Sequence, residues 1–151
     1  MAFSSNPYGG YNAYKQIGVK TASQGKLVVM LYESAVSHIE KAIYFVDDEN
    51  KIAACNIENF GNHIQKVMDI VTELQVSLDM EKGGEIARNL MSLYVYFNKE
   101  LLNASISHDK KKLLFIKDML SQLHSSWVTA ASSQANTQVQ SESRPALNIQ
   151  G

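Results

Sequence analysis

The amino-acid sequence predicts an all-α protein: an antiparallel up-down four-helix bundle with a short N-terminal helical arm and a disordered C-terminal tail. Three observations lead there. Apolar residues recur every three or four positions through most of the chain, which puts each set on one stripe of a helix. The segments between stripes are short, and short links make consecutive helices antiparallel. Both prolines, Pro7 and Pro145, lie near the ends, leaving residues 8–144 without the strongest helix breaker. At 151 residues, 45% of them apolar, the chain is long enough to bury one genuine core.

Residues 1–22 form the arm. Its stretch NPYGGYNAY carries Tyr8, Tyr11 and Tyr14 at spacings of three, on one face if the segment becomes helical. Gly9 and Gly10 make it a poor helix in isolation. Two roles are open to it: a terminal brace, or a removable cover on a surface that a partner later occupies.

Residues 23–131 form the bundle, with Ser23 as N-cap of helix 1. Leu27, Leu31, Ala35, His38, Ala42 and Phe45 make one stripe of that helix, and Val29, Tyr32, Val36, Ile39 and Ile43 make a second. The combined apolar sector spans about 200°, wider than the ~100° or somewhat more that a surface helix needs. Either helix 1 is central and covered by the arm, or part of the sector receives another protein's amphipathic helix. Helix 2 follows Ile57, Phe60, Ile64, Val67, Val71, Leu74 and Leu78. Helix 3 follows Ile86, Leu90, Leu93, Phe97, Leu101 and Ala104. Helix 4 follows Leu113, Ile116, Leu120, Leu123, Trp127 and Ala130. The links are 47–50, a turn around Met80–Gly84 in which Gly83-Gly84 marks the start of helix 3, and 107–109, where Asp109 caps helix 4. Asp79, Glu81 and Glu85 gather where the helix 3 dipole favours negative charge. Phe115 and Met119 lie four apart and off the core stripe of helix 4, as stray surface residues or as an adaptable contact for a ligand helix. Residues 132–151, rich in Ser, Gln and Asn, read as the disordered tail.

Composition argues against several function classes. A formal net charge of −1 offers no basic field for nucleic acid, and Lys110-Lys111-Lys112 reads as a solvated helix start. No run reaches the ~18–20 apolar residues of a membrane span, and the first residues lack the pattern of a signal peptide, so a soluble cytoplasmic protein is expected. The single cysteine, Cys55, excludes an intrachain disulfide and reads as a small buried residue. A metal centre is not expected: no histidine has a glutamate three residues before it, no His-x-x-x-His occurs, and one cysteine builds no zinc site. His38 reads as a hydrogen-bonded core histidine. No phosphate-binding loop is present. The parts of an enzyme are missing.

The segment SLDMEKGGEIARNLMSLYVYFNKELLNA, residues 77–104, resembles the flagellin-specific export chaperone family, FliS. The matching residues are Leu78, Asp79, Glu81, Lys82, Gly83, Gly84, Glu85, Ile86, Ala87, Asn89 and Leu90, then Leu93, Tyr94 and Tyr96. The arm is similar to the family's Asn-Pro-Tyr-x-x-Tyr start. TASQGKLVVMLYESA, residues 21–35, is similar to its Thr-Ala-Ser-Pro-x-x-Leu stretch, with Gln24 in place of the usual proline. The resemblance covers about residues 6–131 and implies a cytoplasmic helical chaperone without cofactor. Its expected partner is the disordered C-terminal segment of flagellin, kept from premature polymerisation and delivered to the flagellar export apparatus, which is met indirectly through the flagellin complex. Neither nucleic-acid binding nor membrane insertion is implied. The candidate partner-binding residues are Tyr8, Tyr11 and Tyr14 of the arm and Val29, Tyr32 and Val36 of helix 1. Asn89, Leu93 and Tyr96 of helix 3 join them, with Phe115 and Met119 of helix 4. Tyr94 is expected to be buried with its hydroxyl paired, and Tyr96 partly exposed. The alternative from another class is a structural bundle that self-associates through helix 1.

Overall fold

Helical periodicity becomes four long helices in the computed structural model, which describes the backbone over residues 24–150 and side chains as far as Ser133. The arm with Tyr8, Tyr11 and Tyr14, and the Ser23 cap, lie outside the described residues. Helix α1 is Gln24–Tyr44, α2 Ile57–Ser77, α3 Gly84–Ser107 and α4 Lys110–Gln150, with a 3-10 turn, Ala54–Asn56, before α2. Strands are absent among the described residues. Helical backbone in α4 continues through Gln150, past the expected start of the tail at residue 132.

Leu31–Leu123 is one unit, and it contains parts of all four helices. Its core is made of Leu31, Tyr32, Ala35, Ile39 and Ala42 of α1, Phe60, Ile64, Val67, Val71 and Leu74 of α2, Ala87, Tyr94, Phe97, Leu101 and Ala104 of α3, and Leu113, Ile116 and Leu120 of α4. The described part of the other unit comprises Gln24–Met30 and His124–Gln150, in which Leu27 and Val28 are buried and Trp127 is half-buried.

Stripes read from spacing hold in the helix interiors and slip at the helix starts. In α3 the buried series begins at Ala87, while Ile86 is 73% exposed, and Leu90 and Leu93 are only half-buried. In α2, Ile57, the first residue of the helix, is likewise exposed at 48%. Ala130 is exposed at the other end of its stripe. Cys55 is also exposed, contrary to the buried reading, because it sits in the 3-10 turn, none of whose residues is buried.

Short links are held by side chains that supply backbone partners. Asp47 Oδ1 accepts the N–H groups of Lys51 at 2.9 Å and Glu49 at 2.8 Å, and these bonds hold its carboxyl below the usual range. Asn50, at φ 62°, then accepts the Lys110 N–H at 2.9 Å, tying the first link to the start of α4. Asp109 caps α4 as expected, its Oδ1 accepting the Lys112 N–H at 3.2 Å. The chain turns from α3 to α4 within two residues because His108 adopts a left-handed φ of 59°. Its ring meets Phe60 edge-on at 5.2 Å.

Candidate partner-binding surface

The turn that starts α3 sets the register of everything on that helix. Asp79 Oδ1 accepts the N–H groups of Glu81 at 3.1 Å and Lys82 at 2.9 Å, while its carbonyl accepts the Gly83 N–H at 2.8 Å. Gly84 follows at φ +55°, a left-handed value that favours glycine. Gly83 needs the absence of a side chain for another reason: a Cβ there would lie 2.6 Å from Ala87 Cβ and 2.7 Å from the Asp79 carbonyl oxygen. The two glycines therefore mark the turn, as expected, and bring it down onto α3.

From that start, helical geometry sends Tyr94 inward and Tyr96 outward. Tyr94 is 1% exposed and its hydroxyl is hydrogen-bonded to that of Tyr32 on α1, the rings standing 6.4 Å apart. Burial raises the Tyr94 pKa, with the bond from Tyr32 acting in the opposite direction. Tyr32 was expected among the partner-binding residues, and this placement corrects that reading. At 0% exposure it belongs to the core, because its hydroxyl has a partner inside the bundle. Val29 and Val36 remain half-buried, and with Ile43 they form a row of sevenfold spacing along α1. His38 and Phe45 face α2 through His63, and Val36 lies about 160–180° around the helix from them.

A second row of candidates straddles α3 and α4. Lys112 Nζ donates to Glu100 Oε2 at 3.4 Å, and Asn103 Nδ2 donates to the same oxygen at 3.1 Å. From this pair, seven residues back along α3 reach Leu93 and seven forward along α4 reach Met119. Because the helices run in opposite directions, both steps climb about 10 Å the same way and return to nearly the same face. Tyr96 and Phe115 fall between the ion pair and that level, and Asn89 lies farther along. Tyr96 is 40% exposed, Phe115 51%, Asn89 exposed, and Leu93 and Met119 half-buried. Five of the expected residues thus lie along one seam, with a half-buried ion pair at one end. Val29 and Val36 lie on the separate α1 row.

Sequence reading missed two features. Val95, Leu102 and Ile106 form a further exposed apolar row on α3, legible in their spacing of seven and four. Two of the three lysines at the start of α4 are also engaged, Lys110 with Asp48 at 3.2 Å and Lys112 with Glu100, so the run is not simply solvated. His38 and His63 meet with their Nδ1 atoms 3.0 Å apart. Desolvation lowers both pKa values. For His38 the next causes are the charge of His63 and then Lys41 and Lys66; for His63 they are Lys41 and Lys66. Among the described residues no group of three or more His, Cys, Asp or Glu side chains is placed to hold a metal. No described helix is long and apolar enough to cross a membrane.

The flagellar protein FliS family matches residues 7–134. The flagellar secretion chaperone FliS of Salmonella typhimurium is 32% identical over 123 residues, covering 78% of this chain and 87% of the relative. Its Escherichia coli counterpart is also 32% identical, with 78% and 86% covered. The Bacillus subtilis chaperone of the same name is 25% identical over 124 residues, with 82% and 87% covered. The chain belongs to the FliS family of flagellar secretion chaperones.

Proposed function

We propose that this protein is a non-catalytic, cytoplasmic export chaperone that holds the C-terminal segment of flagellin. By holding that segment it prevents premature polymerisation and assists delivery to the export apparatus. The observation that carries this reading is the α3–α4 seam: Leu93, Tyr96, Phe115 and Met119 present apolar side chains at helical spacing on two antiparallel helices. An amphipathic client helix with anchors three and four residues apart matches such a surface. A client that folds on binding loses much of its contact energy to ordering, so a long apolar contact suits the task better than a few polar anchors. The tyrosine arm acts as the removable cover of apolar surface while no client is bound, and Val29 and Val36 are further candidate contacts on their own α1 row.

Mixing the protein with a flagellin C-terminal peptide tests the reading. The expected result is a stoichiometric complex, detected by size exclusion with light scattering, and additional helix in the peptide by circular dichroism. Oligomers of the protein alone, with the peptide remaining free and unstructured, would replace the chaperone by a self-associating bundle.

A further inference from the structure

The α1–α2 contact brings two imidazoles together at their ring nitrogens. His38 Nδ1 and His63 Nδ1 are 3.0 Å apart, with ring centroids 5.2 Å apart and ring planes 34° apart. Two neutral imidazoles meet this way when one Nδ1 carries the hydrogen and the other offers its lone pair. Nitrogens held this close by two elements also suit a borderline transition ion, provided each ring tilts to aim its Nδ1 lone pair off the N···N line toward the ion. With bonds of 2.0–2.1 Å, two nitrogens stand roughly 2.8 Å apart at a square-planar centre and roughly 3.3 Å apart at a tetrahedral one. The observed separation falls between these values. Phe45 stands beside the His63 ring, centroids 6.3 Å apart and planes 22° apart. His63 also lines an open concavity with Ser37, Glu40, Lys41, Tyr44 and Phe45, so water can reach its side of the pair.

We propose that His38 and His63 together bind a divalent transition ion through their Nδ1 atoms and so clamp α1 to α2. Two nitrogens completed by water oxygens suit Cu2+ best, with Zn2+ weaker by the general order of divalent affinities. On binding, each ring takes the tautomer that keeps its hydrogen on Nε2, leaving both Nδ1 lone pairs for the ion. Lys41 and Lys66 are the nearby cations and oppose a dication, while the Glu40 carboxylate lines the same concavity. The clamp is independent of the α3–α4 seam.

Cu2+ and Zn2+ are titrated separately into the tag-free, chelator-stripped full chain, followed by calorimetry and thermal unfolding. One-to-one saturable binding, tighter for Cu2+, with a raised unfolding midpoint is expected. Loss of outer contacts around a ligand commonly costs 10–100-fold, so removing a direct ligand in His63→Gln or His38→Gln should weaken binding by at least about tenfold. His108→Gln should bind as the unsubstituted chain does. Paramagnetic resonance of the Cu2+ complex needs no variant: nitrogen coupling from two imidazoles is expected. Oxygen-only coordination, no saturable binding, or undiminished binding in both ligand variants with helix content intact would overturn the proposal.

Discussion

Gly83 and Gly84 are adjacent glycines with different reasons to be glycine, and Gly61 in α2 supplies a third case of opposite sign. At Gly83, an added Cβ meets Ala87 Cβ at 2.6 Å and the Asp79 carbonyl oxygen at 2.7 Å. Both neighbours are fixed to backbone, so the turn and α3 must separate to admit a methyl group. Overpacking of this kind costs about 1–3 kcal/mol, offset by the ~0.4–1 kcal/mol that alanine gains over glycine by stiffening the unfolded chain. At Gly84 nothing lies within 4 Å, but φ is +55°. Holding alanine there costs ~1–2 kcal/mol, offset by ~0.4–1 kcal/mol from the stiffer unfolded chain. Asparagine tolerates that conformation, so Gly84→Asn should be milder than Gly84→Ala. Gly61 is exposed inside α2, with nothing within 4 Å of its added Cβ. Gly61→Ala should therefore stabilise by about 0.5–1 kcal/mol. Urea unfolding measures all four variants, read as midpoint changes at constant slope. The expected order, from least to most stable, is Gly83→Ala, Gly84→Ala, Gly84→Asn, Gly61→Ala. Gly83→Ala as stable as the unsubstituted chain, or Gly84→Asn worse than Gly84→Ala, would refute the steric and conformational reasoning.

Tyr32→Phe leaves the buried Tyr94 hydroxyl without its partner and should cost about 1–3 kcal/mol. Adding Tyr94→Phe should recover part of that loss, and strict additivity in the double-mutant cycle would show that the hydroxyls are not coupled. Phe97→Ala should cost ~3–5 kcal/mol as a core truncation, whereas Tyr96→Ala next to it, being 40% exposed, should cost far less and reduce flagellin-peptide affinity. Equal losses of stability would misplace the seam. Both His38 and His63 have folded pKa values lowered from 6.5, so the unfolded chain binds more protons as acid is added. In the metal-free protein with chelator, their contribution is complete above about pH 6.5 and is lost as pH falls through the folded values. His63→Gln should flatten that part of an unfolding-midpoint profile, and an unchanged slope would remove the pair from it.

Helix number, order and link positions were legible in the sequence because they depend on local chemistry. A 3.6-residue period needs only spacing to be seen, as in Phe60, Ile64, Val67, Val71 and Leu74. Asp109 and Gly83-Gly84 act within a few bonds of their own backbone. The family followed from the segment around Gly83-Gly84, which the comparison with known chaperones supports. What spacing could not supply was which parts of a wide apolar sector find a partner. On α1, Tyr32 and Val36 belong to one stripe, yet only Tyr32 has a neighbour that completes its burial, the Tyr94 phenol from 62 residues away in the chain. At the starts of α2 and α3, Ile57 and Ile86 keep the periodicity and lose the neighbours. The meeting of Glu100 with Lys112, which brings Leu93 and Met119 to one level, and that of His38 with His63 depend on how the helices pack. Periodicity is a property of one helix, whereas burial and pairing require a second, and only the tertiary structure decides which helix that is and at what register.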